Sequence, residues 1–157
     1  MTECNKRTIN ANTYISTLRQ IVENGQEVSL KISGSSMMPF LIHERDMILF
    51  GPVKGELKKG DMVFFQRQEG QFVMHRICKI TPEGYYIVGD AQVVIEGPIK
   101  REQIFAKVNR ARRKGKWIDE NDFWWKFFEK VWIRIIPLRH VIMRTYMILT
   151  GKNKKKD

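Results

Sequence analysis

Ser35 and Ser36 stand at the end of an alternating run, Val28-Ser29-Leu30-Lys31-Ile32, in the stretch Ser33-Gly34-Ser35-Ser36-Met37-Met38-Pro39. A strand ending this way presents hydroxyls and free amides at a turn where little side-chain bulk blocks an incoming group. Nucleophilic serines are built like this, because the turn exposes the hydroxyl while neighbouring N–H groups can face an oxyanion. The same residues also make an ordinary polar turn between two strands. A nucleophilic serine needs a base, and the chain offers three histidines. His43 follows the serine turn closely in the polar Ile42-His43-Glu44-Arg45, and His140 sits in a basic C-terminal stretch with no polar constellation beside it. His75 lies inside Phe72-Val73-Met74-His75-Arg76-Ile77, where a strand would fix its direction far better than a loop. A lone strand histidine is more often structural, so a carboxylate that could orient the ring matters. Asp90, in Gly89-Asp90-Ala91, and Glu96 beyond it are the candidates, whereas Asp46 and Asp61 each precede an apolar run and read as turn residues.

The elements that must position these groups follow from the apolar periodicity. Asn12 is placed to cap a short amphipathic helix carrying Tyr14, Ile15, Leu18, Ile21 and Val22, closed by Asn24-Gly25. From Gln26 to Arg112 the pattern changes to short strands divided by turn signals: Val28–Ile32, Asp46–Phe50, Asp61–Phe65, Phe72–Ile77, Tyr85–Val88 and Ile104–Val108. Many short strands at close spacing predict a mainly β domain, a small barrel or a coiled pair of sheets. Residues 113–122 read as a charged linker. Beyond it Trp124, Phe127, Phe128, Val131, Trp132 and Ile135 recur at helical spacing, Pro137 breaks the run, and Leu138, Val141, Ile142, Thr145 and Leu149 form a second periodic piece. The expected organisation is an N-terminal helix over 1–25, a β domain over 26–112, the linker, and a basic amphipathic helical segment with its tail over 123–157.

A length of 157 residues is one domain with an appendage, and 43% hydrophobic composition is globular. The net charge of +11 calls for an anionic partner. Arg110-Ala111-Arg112-Arg113-Lys114-Gly115-Lys116 and the tail Lys152-Asn153-Lys154-Lys155-Lys156 flank the apolar C-terminal segment. Charge beside apolar sequence favours peripheral contact with an anionic membrane over a nucleic-acid groove. The alternative is that the Trp-rich segment docks on the β domain or on a second copy. Cys4 and Cys78 form no metal-ligand spacing and no disulfide framework, although a single bridge stays open. The default is a reducing cytosol, and no metal or cofactor is expected. No secretory h-region and no run of ~18 apolar residues is seen, which predicts a cytoplasmic or peripheral membrane location.

The ordered set Gly34-x-Ser36-Met37-x-Pro39, Arg45-Asp46, Leu57-Lys58-Lys59-Gly60-Asp61-Met62-Val63, His75-Arg76 and Gly89-Asp90-Ala91 resembles the type I signal peptidases and the related self-cleaving repressors, the S24/S26 peptidase superfamily. The likeness covers about Val28 to Val108. It implies the signal peptidase and repressor type of coiled β-barrel, with Ser36 as nucleophile of a serine endopeptidase. The position that is a lysine base in most bacterial members falls in the box holding His75, as in the branch that pairs serine with histidine. Asp90 matches that branch's Gly-Asp box, and Glu96 falls where the branch has another aspartate. The resemblance implies either carboxylate as third member, Asp90 favoured, with the Ser35 and Ser36 amides at the oxyanion. It also implies a peptide or precursor-protein substrate, a leader, signal or pro-peptide cut after small residues. The family's membrane helix before the serine box is replaced here by a polar amphipathic one. Two rival expectations are a catalytically silent peptide-binding module of the same fold and a repressor-like regulator that cuts itself.

Overall fold

The computed structural model describes residues 11–151, so Cys4 and the lysine-rich tail lie outside the described residues. Helix α1 spans Ala11–Glu23 and is followed by eight strands: β1 Val28–Lys31, β2 Met47–Gly51, β3 Met62–Gln66, β4 Phe72–Thr81, β5 Gly84–Val88, β6 Glu96–Ile99, β7 Ile104–Arg113 and β8 Lys116–Ile118. Helices α2, Phe123–Lys130, and α3, Arg139–Leu149, close the chain. Leu18 and Val22 of α1 are buried, and Ile15 and Ile21 pack beside them, as the spacing requires. The helix ends where expected: Gly25 takes φ +86, open to glycine at no cost, and its amide donates to the Val22 carbonyl at 2.8 Å. Asn12, expected as the cap, lies inside the helix.

All strands belong to one antiparallel sheet in the order β1-β2-β7-β3-β4-β5-β6, with β8 paired to β7. The mainly β expectation stands. β6 and β8 were not legible: Gly97-Pro98 interrupts one, and Lys116-Trp117-Ile118 is short and sits in the stretch expected as a linker. Proline is tolerated in β6 because that strand ends the sheet. Breaks of register within the β2–β7, β3–β7, β4–β5 and β5–β6 pairs mark bulges that bend the sheet.

The larger core gathers Phe40, Leu41, Ile48, Phe50, Met62 and Phe64 under α1 and the C-terminal segment. A second core holds Val63, Phe65, Ile77, Ile87, Ile99 and Ile104. Asp122 caps α2, its carboxylate accepting from the Trp124 amide at 2.8 Å. Trp125, Phe128 and Trp132 are buried in the larger core, with the Phe40 ring 5.8 Å from Trp125 and 4.9 Å from Phe128. Half of the Trp-rich segment therefore docks on the β domain. The approach is close: a Cβ on Gly60, at φ +100, would lie 2.9 Å from the Glu129 carbonyl oxygen. Between α2 and α3 the chain runs through two single 3-10 turns, Trp132–Arg134 and Ile136–Leu138, the second containing Pro137. Among the described residues no helix is long and apolar enough to cross a membrane.

Candidate active site

The serine turn leaves β1 at Ile32, whose amide donates to the Asp46 carbonyl at 2.9 Å. Gly34 takes φ +90 and donates its amide to His43 Nδ1 at 3.0 Å, so His43 braces the turn with an acceptor nitrogen. The Met38 amide donates to the Ser35 carbonyl at 3.1 Å and closes the next turn. Ser35 is exposed and Ser36 half-buried. Among the described residues, the amides of Ser35 and Ser36 and the Ser36 hydroxyl have no hydrogen-bond partner. That leaves both amides available to an incoming oxyanion.

Asp46 anchors the far end of the loop. Its buried carboxylate accepts from the Ile42 amide at 2.8 Å and from Arg45 Nε and Nη2, each at 2.8 Å. Burial alone would raise this group's pKa. The Arg45 guanidinium and the Ile42 and Lys114 amides outweigh it and hold the carboxyl below its ordinary value. Asp61 accepts from the Lys58 amide and pairs with Lys107, each at 2.8 Å, the turn role read from sequence.

The serine turn is fastened to the Gly-Asp loop. The Ala91 amide donates to the Ser36 carbonyl at 2.8 Å. A Cβ on residue 89 would lie 2.6 Å from the same carbonyl oxygen, so glycine is required there for backbone to meet backbone. This loop follows β5, whose Val88 is paired with Arg76 of β4. The neighbour of Arg76 is His75, paired across to Val63 of β3. One strand pair thus carries Asp90 and His75 to the end of the sheet where the serine turn is seated.

His75 is buried, its ring 6.4 Å from that of Phe65. Burial is the main cause that drives its pKa from 6.5 down to about 4; Glu96 and Asp90 pull it up, and Arg67 pushes it down. The imidazole is therefore neutral at pH 7, the form that can take a proton. Among the described residues no hydrogen bond engages its ring nitrogens.

The two candidate carboxylates differ in their surroundings. Asp90 is fully buried and bound through both oxygens by Arg76, Nε to Oδ1 at 3.0 Å and Nη2 to Oδ2 at 2.9 Å. The third arm of that guanidinium, Nη1, donates to the Gly60 carbonyl at 2.8 Å. Glu96, at the start of β6, is half-buried and held by Arg67 in a fork, at 2.6 and 2.7 Å. It lines a cavity of about 560 Å³ with Arg67, Ala91, Gln92 and His140. His140, without polar company in the sequence, thus shares a cleft with an ion pair.

Sequence reasoning missed Arg76, Arg67, Trp132 and Arg139. The indole of Trp132 donates to the Asp90 carbonyl at 2.8 Å. Arg139, fully buried, donates to the carbonyls of Gly89 at 2.9 Å, Gln92 at 3.2 Å and Trp132 at 2.9 Å. The only available signal was Arg76 directly after His75. Arg139 lay in the basic C-terminal stretch, where nothing in the spacing distinguishes a buried guanidinium from an exposed one. Cys78 is a buried free thiol, bonded to the Tyr86 carbonyl and raised in pKa by burial. Among the described residues no cluster could hold a metal ion.

Comparison with curated proteins and with solved structures gives no match. A family model described as Peptidase S24-like matches residues 3–108, a span that contains the serine turn, His75, Asp90 and Glu96. Over most of its length, then, this chain belongs to the Peptidase S24-like family.

Proposed function

We propose that this protein is a serine endopeptidase that resembles the type I signal peptidases and removes a leader, signal or pro-peptide after small residues. Ser36 Oγ attacks the scissile carbonyl while His75 takes its proton. The tetrahedral oxyanion rests on the Ser35 and Ser36 amides. His75 then passes the proton to the departing amine as the carbon–nitrogen bond breaks, and water hydrolyses the acyl-enzyme through the same imidazole. Glu96 is the carboxylate we assign to the imidazolium: it exerts the largest charge effect on His75 and is not sealed in the interior. Asp90 acts one step back by fixing Arg76 and the loop behind Ser36.

The observation that carries the reading is a buried imidazole, held neutral by that burial, on the strand paired with the one whose following loop is hydrogen-bonded to Ser36. The test is cleavage of leader peptides with small residues before the cut, by the purified chain. Cleavage that disappears in Ser36→Ala and in His75→Ala is expected; full retention in either overturns the assignment. Shortening of the chain itself on storage, with no cleavage of added peptide, would favour the self-cutting regulator instead.

A further inference from the structure

Helix α3 turns its apolar stripe outward. Val141, Ile142, Thr145, Ile148 and Leu149, with Leu138 just before the helix, recur at helical spacing, a face about 120° wide at 100° per residue. All six are exposed, Val141 at 69% and Leu149 at 81%. The opposite side is the one that packs: Arg139 is buried, and Met143 lies against the larger core. His140 of the same helix lines a cavity with Val94 and Ile95, which are also exposed. Scattered exposed aliphatics are ordinary, but a contiguous stripe marks an interaction surface.

The charge around the stripe selects the partner. From Lys130 to Gly151 the sequence holds Lys130, Arg134, Arg139 and Arg144 and no acidic residue. Of these only Arg139 is buried. A second copy of this +11 chain would bring an equally cationic face against this one, with no carboxylate to pair. A surface that is apolar within and anionic at its rim fits both halves. We propose that the outer face of α3 docks on an anionic lipid surface. The helix lies in the interfacial plane, the stripe at the boundary of headgroups and acyl chains, and Arg144 reaches the phosphates along its own stem.

Docking has a consequence for the cleft. The inner side of the same helix holds the Gly89 and Gln92 carbonyls through Arg139, and His140 shares the cavity with Glu96. A docked α3 therefore sets the mouth of that cavity beside the lipid, where a precursor tethered to the membrane would arrive. This last step rests on the peptidase reading; lipid binding itself does not.

The experiment is sedimentation of the full chain with vesicles of phosphatidylcholine alone or mixed with phosphatidylglycerol, at rising salt. Binding is expected on the mixed vesicles, weakening as salt screens the headgroups, and little on the neutral ones. Val141→Asp combined with Leu149→Asp should lower vesicle affinity at least about tenfold. Both positions are exposed, so the thermal midpoint and the cleavage of a soluble peptide should hold. Ser36→Ala should bind vesicles like the parent, which separates the two readings: an inactive chain that binds leaves the docking intact, and an active chain that does not bind overturns docking alone. Absence of binding to mixed vesicles, equal binding by the double variant, or a concentration-dependent dimer that the double variant abolishes would each overturn the proposal.

Discussion

Arg76 and Asp90 form a fork of two hydrogen bonds, 3.0 and 2.9 Å, between two fully buried side chains. The pair locks β4 to the loop after β5 and stacks on the Phe40 ring, 5.2 Å away, in the segment that follows the serine turn. Such a pair gives little net stability compared with apolar packing, but breaking it strands a buried charge. Its value here is positional: it fixes the strand that carries His75 and the loop that receives Ser36.

The two carboxylates should therefore respond differently to loss of charge. Asp90→Asn is expected to lower stability by roughly 3–5 kcal/mol by leaving Arg76 unpaired. Glu96→Gln removes a half-buried charge that favours the imidazolium of His75, so it should leave the thermal midpoint within a few degrees and reduce kcat by roughly tenfold or more. Thermal unfolding and steady-state cleavage measured on the same preparations check this. If Asp90→Asn unfolds normally and loses only turnover, the assignment of roles is reversed.

Much of this arrangement was written in the chain, and the reasons for the gaps are physical. Strand β1 announced itself by alternation, and β2 to β5 and β7 as short apolar runs between turn signals; β3 shows no alternation because its two faces are buried in the two cores. The edge strand β6 did not announce itself, since Gly97 and Pro98 carry no side-chain signal of either kind. Ser36 and His75 stood out in the sequence by their short boxes, and the structure places them on the serine turn and on β4. The partner of Asp90 did not stand out, because pairing residues 76 and 90 depends on the register of β4 against β5. The second periodic piece was the least decisive: apolar spacing says that a helix has a face, but not whether the protein or something else covers it.

Gly89 offers a sharper probe of the link between loop and nucleophile. The Cβ introduced by Gly89→Ala would meet the Ser36 carbonyl oxygen at 2.6 Å and Gln92 Oε1 at 2.8 Å. The loop and the serine turn must then separate by several tenths of an ångström. The expected outcome is a loss of kcat of about 10²-fold, with peptide affinity changed much less, since the serine is displaced and not removed. Steady-state kinetics separate the two parameters, and an unchanged kcat would show that the serine turn does not depend on this contact.

Arg139 lies outside residues 3–108, the span matched by the family, yet it enters the loop behind the site. Arg139→Met would leave the carbonyls of Gly89, Gln92 and Trp132 without their donor, at roughly 1–3 kcal/mol for each one that water does not reach. Lysine has a charge but no fork, so Arg139→Lys should rescue only part of the loss. Hydrogen exchange should show faster opening of residues 89–92 in Arg139→Met than in the parent. Equal exchange in all three proteins would mean that the C-terminal segment merely covers the loop.

The pH dependence follows from the burial of His75. Its folded pKa of about 4 lies below the ordinary 6.5, so between these values the unfolded chain binds the extra proton. Stability is therefore unaffected by this group above pH 7, falls as the pH drops from about 6.5 towards 4, and loses up to about 3 kcal/mol across that window. Asp46, held below its usual value, acts in a lower range: its contribution is present above the unfolded carboxylate pKa and is lost as the pH falls through the folded one. Catalysis shifts the same way, because the neutral imidazole persists in acid. The acid limb of kcat/KM should fall below pH 6, nearer to 4 than to 6.5. Denaturant midpoints across pH 4–8 for the parent and for His75→Gln isolate the effect: the slope between pH 6.5 and 4 should flatten in the variant. An acid limb at 6.5, or a slope that survives His75→Gln, would mean that the imidazole is solvated and that another group sets the dependence.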